Sequence, residues 1–94
     1  MIALTQLLSQ NNICLDQDLG STEELFEFVD QLFAKQLAFP PHSIKNCLND
    51  REALGSTGLG QGIAIPHGRV HNLKEPHLGF VRLQKGIEFN SPFF

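Results

Sequence analysis

The segment LGSTGLGQGIAIPHGRV, Leu54 to Val70, holds five of the eight glycines in a chain of 94 residues. Gly55 is a stop for any helix that precedes it, because a glycine just past the last turn adopts backbone angles that other residues avoid. Beyond the glycines, Ile63 and Ile65 alternate around Ala64 and read as a short strand running straight into Pro66, His67 and Gly68. The chain is thus split into a part before the glycines and a part after. One imidazole is left at a strand end, between a proline and a glycine.

The part before the glycines reads as helical. Ser21 and Glu24 form an S-x-x-E capping box. After them Leu25, Phe28, Val29, Leu32, Phe33 and Leu37 recur at helical spacing and predict one apolar face, which Pro40-Pro41 brings to an end. A second helix is expected over Ser43 to Leu54, with Ile44, Cys47 and Leu48 as its apolar stripe. Arg51 is next on that stripe, where it either snorkels its head to water or leans toward an anion at the edge of the core. Upstream, residues 3–9 are a candidate short helix. ICLDQDL, 13–19, alternates Ile13, Leu15 and Leu19 against polar neighbours and reads as extended. LGFVRL, 78–83, is a further strand candidate, and Gly86 a turn into IEF, 87–89. Helices precede strands with little βαβ alternation, so the expected class is α+β, a sheet covered by helices.

Composition narrows the function classes. Apolar residues make up 41% and charged residues 18%, enough for one ordinary globular domain, though a chain this short has a thin stability margin. The net charge is −3 and the seven Lys and Arg residues are scattered, which argues against nucleic acid as a partner. The start, MIALTQLLSQNN, lacks a basic segment and a sustained apolar run, and no stretch is apolar for long enough to enter a membrane. Cys14 and Cys47 are far apart, without a CxxC, and read as reduced thiols. A cytoplasmic protein is the expectation.

Known phosphate and metal motifs do not account for the glycines. No lysine and hydroxyl pair follows them, as a P-loop requires. Gly58, Gly60 and Gly62 are spaced G-x-G-x-G between a helix and a strand, the wrong spacing and context for a dinucleotide fingerprint. His67 and His71 are four apart but have no glutamate between them and lie in a predicted loop; nothing brings His42 or His77 to them. No metal and no cofactor is expected. What remains is His67 as a nucleophile. One ring nitrogen of an imidazole attacks phosphorus while the other donates to a neighbour that fixes the tautomer. Gly68 removes a side chain that would crowd an incoming phosphoryl group. Ser56, Thr57, Arg51 and backbone amides of the glycine-rich loop are the candidate donors to its oxygens.

The run REALGSTGLGQGIAIPHG, Arg51 to Gly68, resembles the phosphorylation-site region of the enzyme IIA components of the bacterial phosphoenolpyruvate-dependent phosphotransferase system. Within them it is similar to the fructose/mannitol class (type 2), and most of all to the nitrogen-regulatory branch. The resemblance implies that His67 is phosphorylated and that Arg51 is the arginine beside it; Ser56, Thr57 and Gly68 are expected from their own chemistry to support the phosphate loop. It implies a donor of the HPr type, a small histidine phosphocarrier. In sugar-transporting members the recipient is an enzyme IIB domain; in the nitrogen-regulatory branch the phosphorylation state controls binding to transport and regulatory proteins. For His71 and His77 a solvated loop is expected. Family domains continue well past the equivalent of residue 90. Residues 1–94 are therefore expected to be the first two thirds of a single domain, with a mixed sheet flanked by helices that is incomplete at its C-terminal end. Phe89, Phe93 and Phe94 are then expected to be partly uncovered, or covered by a second copy of the chain. Three readings stand side by side: a regulatory phosphocarrier, a sugar-uptake enzyme IIA, and a truncated binding module without transfer activity.

Overall fold

The computed structural model describes residues 8–71 and 73–89. The helix expected over 3–9 lies outside the described residues except for Leu8 and Ser9, which are not helical, and Phe93 and Phe94 lie outside them as well. A 3-10 turn at Gln10–Asn12 leads into β1 (Ile13–Gln17), followed by α1 (Thr22–Leu37) and α2 (Ser43–Leu54). The strands β2 (Gly58–Gly60), β3 (Ile63–Ala64) and β4 (Phe80–Leu83) complete the order.

The start of α1 is set by its cap. Ser21 Oγ accepts from the Glu24 amide at 3.2 Å, while the Glu24 carboxylate accepts from the Gly20 amide, one residue earlier than in a regular capping box. The helix ends at Ala38, whose φ of 57° is left-handed, before the two prolines. The face it buries is turned from the expected one. Leu25, Phe26, Asp30 and Phe33 are buried, whereas Phe28 and Leu32 are only half-buried. Phe26, which the spacing argument missed, is 2% exposed and meets Phe89 edge-on at 6.3 Å.

Asp30 explains why a charged residue occupies that face. The N-cap of α2, His42, makes no side-chain cap. Instead the buried Asp30 carboxylate reaches across from α1, accepting from the amides of His42 (3.0 Å), Ile44 (3.0 Å) and Lys45 (2.9 Å). Orphan donors at a helix start are thereby satisfied by an anion placed where the helix dipole favours one. Glu27 and Lys45 add an ion pair at 3.0 Å across the same two helices.

Among the described residues the sheet elements are two pairs, one parallel and one antiparallel, and the class is α+β. β1 pairs with β4 in parallel, Ile13 opposite Phe80 and Cys14 opposite Val81, so both helices and the glycine-rich segment lie in the crossover between them. β2 and β3 form an antiparallel hairpin. Its two turn residues, Gln61 (φ 56°) and Gly62 (φ 78°), both have positive φ, the requirement of the tight turn that matches strand twist. Strands form where the alternation predicts them, and their alternating apolar residues face outward. Ile13, Leu15, Ile63 and Ile65 are exposed, while Cys14 and Ala64 are half-buried on the inner side. The core is Leu25, Phe26, Phe33, Ile44, Leu48, Ile87 and Phe89, with Ala64, Val70, Val81 and Leu83 packed against it. Phe89 is therefore covered within the chain itself, at 7% exposed, contrary to expectation. Among the described residues, no helix is long and apolar enough to cross a membrane.

Candidate active site

β3 leads through Ile65 to Pro66 and His67, which lies beside α2. His67 is exposed, and its Nδ1 lies 3.0 Å from the Ile65 carbonyl oxygen. A carbonyl only accepts, so Nδ1 carries the proton and Nε2 of the neutral ring holds the free lone pair. The histidine opens on a shallow cleft of about 380 Å³, lined by Cys47, Asp50, Arg51 and Leu54 from α2 and by His67, Gly68 and Arg69 opposite. Cys47, Arg51 and Leu54 recur at helical spacing, so one face of α2 forms a wall of the cleft. His67 and Arg51 thus share one cavity. The guanidinium donates to the Gly55 carbonyl at 2.7 Å, closing the last turn of α2.

Gly68, which lines the cleft, has a packing reason as well. A Cβ there would lie 3.0 Å from the backbone carbon, oxygen and Cβ of Cys47. Its missing side chain permits close approach to α2, where rigid backbone could not give way. The Cys47 thiol donates to the next carbonyl, that of Arg69, at 3.0 Å. The His67 loop is therefore seated on the same helix that presents Arg51. Both cysteines are free thiols.

Ser56 and Thr57 do not line the cleft. Thr57 is buried, and both its amide (3.0 Å) and its hydroxyl donate to the Glu52 carboxylate. Its carbonyl accepts from Ile65 at 3.0 Å. Ser56 Oγ accepts from the Gly58 amide at 3.0 Å. Thr57 thereby braces the junction between α2 and the hairpin, its hydroxyl proton committed to Glu52, while Ser56 Oγ holds the Gly58 amide as an acceptor. The glycine run is likewise a paired hairpin, with Gly58 and Gly60 buried, and not an open cradle of amides.

The other histidines lie elsewhere: His77 edges onto Phe33 at 6.4 Å, His42 is 3.8 Å from Glu27, and His71 is exposed in a turn. Among the described residues no three His, Cys, Asp or Glu side chains gather as a metal site. The sequence argument missed Asp50 and Arg69. Both were within reach of it, one beside Arg51 and the other two residues past His67.

The family described as "Phosphoenolpyruvate-dependent sugar phosphotransferase system, EIIA 2" matches residues 6–92. The chain belongs to this family. As an EIIA type-2 chain it is 40% identical over 72 residues to the nitrogen regulatory protein of Escherichia coli (strain K12), covering 76% of this chain and 44% of that protein. It is 30% identical over 89 residues to the fructose-specific EIIABC component of Bacillus subtilis (strain 168), covering 94% of this chain and 14% of that one. The crystal structure of the nitrogen regulatory protein IIA-Ntr from Neisseria meningitidis superposes with a TM-score of 0.88 at 38% identity, over 95% of this chain and 61% of its own. The EIIA type-2 chain thus spans about half the length of the nitrogen regulatory proteins it matches.

Proposed function

We propose that this chain is a histidine phosphocarrier of the phosphotransferase system, acting mainly in regulation, with His67 as the phosphoryl acceptor and an HPr-type protein as donor. Supporting the reading is one observation above the others: an exposed imidazole, its Nδ1 already committed to a carbonyl, shares a cleft with a guanidinium.

In the step itself, the Nε2 lone pair of His67 forms a bond to the phosphorus of the donor's phosphohistidine. The donor's P–N bond breaks, and its electron pair returns to the donor imidazole. The His67 ring gains positive character, which the Nδ1–H to Ile65 carbonyl bond stabilises. Phosphoryl transfer of this kind spreads charge over three oxygens, so positioned cations matter more than acid or base groups. Arg51 uses one N–H on Gly55 and has four more to offer. Thr57, Ser56 and Gly68 support the site indirectly, by holding the hairpin and the loop on α2.

A phosphoryl group adds roughly −1.5 to −2 charges to the cleft, which alters the partners that surface accepts. Regulation is favoured by the likeness to nitrogen regulatory proteins. The fructose-specific relative supports a second reading, transfer onward to an enzyme IIB domain. Incubation with phosphoenolpyruvate, enzyme I and an HPr-type carrier tests both. Label is expected in the wild-type chain and in His71→Ala, and not in His67→Ala. Adding an enzyme IIB domain leaves the label in place if the role is regulatory and removes it if the role is uptake. A wild-type chain that stays unlabelled is a binding module without transfer activity. Arg51→Ala is expected to slow labelling about 10- to 100-fold with little change in carrier docking.

A further inference from the structure

We infer that Arg69 is a second phosphoryl-binding cation, which gives the cleft the net positive charge that Arg51 alone does not supply. The inference rests on the phosphocarrier reading above and goes beyond it.

Three charged side chains besides His67 line the cleft: Asp50, Arg51 and Arg69. The carboxylate of Asp50 formally cancels one guanidinium. With Arg51 alone, an arriving phosphoryl dianion would meet a cleft of no net charge. Arg69 makes the lining net positive by one. Arg51 is also partly committed, since one of its N–H groups closes α2 onto Gly55 at 2.7 Å. None of the other five basic residues, Lys35, Lys45, Lys74, Arg82 and Lys85, lines the cleft; Arg82 pairs with Asp16 at 3.1 Å and Lys45 with Glu27 at 3.0 Å.

The placement of Arg69 is also built rather than incidental. Its carbonyl receives the Cys47 thiol at 3.0 Å, and the preceding Gly68 sits against the Cys47 backbone so closely that a Cβ would be 3.0 Å away. Cys47 is one helical turn before Arg51. The root of Arg69 is thereby pinned to the helix that carries the first cation, on the opposite wall from it, with His67 two residues away. Arginine at both positions suits a group with three equatorial oxygens, because planar N–H forks bind phosphate geometry closely.

The position of the phosphoryl-exchange equilibrium between an HPr-type carrier and this chain separates phosphoryl binding from docking. Docking affinity cannot change the equilibrium between two proteins that dissociate freely, whereas a cation holding the phosphoryl group in the product must. The ratio of phosphorylated chain to phosphorylated carrier is read at equilibrium for wild type, Arg69→Ala and Arg69→Lys, with His67→Ala as the blank. Arg69→Ala is expected to shift the ratio about three- to tenfold toward the carrier, and Arg69→Lys to recover part of it, with both effects shrinking at high salt. A ratio in Arg69→Ala within about twofold of wild type overturns the inference and leaves the phosphocarrier reading standing. A wild-type chain that takes no label on His67 overturns both.

A second readout needs no carrier. His67 phosphorylated chemically with phosphoramidate is titrated by phosphorus NMR. A neighbouring guanidinium favours the dianion, so Arg69→Ala is expected to raise the phosphoryl pKa. An unchanged titration speaks against Arg69.

Discussion

His67 donates from Nδ1 to the carbonyl of Ile65, two residues earlier in its own chain, at 3.0 Å. The bond is intrinsic to the loop and needs no partner or ligand to form. It leaves Nε2 as the nucleophile, so the phosphohistidine is expected to be the Nε2 isomer. Proton and phosphorus couplings of the labelled ring distinguish the two isomers. An Nδ1 linkage would mean that the Ile65 bond breaks before transfer.

Gly68→Ala tests the seat of the loop. The added Cβ meets Cys47 backbone at 3.0 Å, so either the loop lifts or α2 shifts. A loss of about 1–3 kcal/mol in folding stability is expected, as for other overpacked contacts, together with slower labelling of His67. Urea denaturation and labelling rate report the two effects. Wild-type values in both would show that the loop is not held against α2.

Asp30→Ala removes the acceptor for three amides at the start of α2. These amides are left in a partly buried setting, and a loss of about 2–3 kcal/mol is expected. Asp30→Asn keeps one acceptor oxygen and should lose less. Chemical denaturation of both variants gives the order directly; equal losses would contradict a role as a two-oxygen cap.

The Glu27 to Lys45 pair predicts a pH dependence. Hydrogen bonding from Lys45 holds the Glu27 carboxyl below its ordinary value of 4.5, and bonding to Glu27 holds the Lys45 ammonium above its ordinary 10.5. A lowered carboxyl contributes stability above its unfolded value that is lost as pH falls through the folded one. A raised ammonium contributes stability below its unfolded value that is lost as pH rises through the folded one. The pair thus helps between the two limits and fails outside them. Lys45→Met is expected to reduce the stability difference between about pH 6 and about pH 3, with a small effect because both groups are near water. An unchanged acid limb would show that the pair contributes nothing.

How much of this was legible in the sequence differs element by element. α2 runs from Ser43 to Leu54 as its stripe and Gly55 predict, and the start of α1 follows from Ser21. These signals are local, so the sequence carries them. Arg51 at the edge of the stripe and His67 at a strand end were likewise readable, and the two line one cleft. The face of β1 was not readable. Alternation defines two faces, and only packing decides between them; here Ile13 and Leu15 are 39% and 46% exposed. Nor was the hairpin within the glycines, because Gly58 and Gly60 lack the side chains by which strands are recognised. Asp30 was hidden for another reason: its partners lie 12 to 15 residues away, beyond the reach of any periodicity.

The central claim is that His67, and no other residue, takes the phosphoryl group. Mass-spectrometric mapping of the chain labelled by phosphoenolpyruvate, enzyme I and an HPr-type carrier tests it most directly. An acid-labile, base-stable phosphate confined to His67, absent from His67→Ala, is the predicted result. Label that persists in His67→Ala, or that maps to His42, His71 or His77, would contradict it.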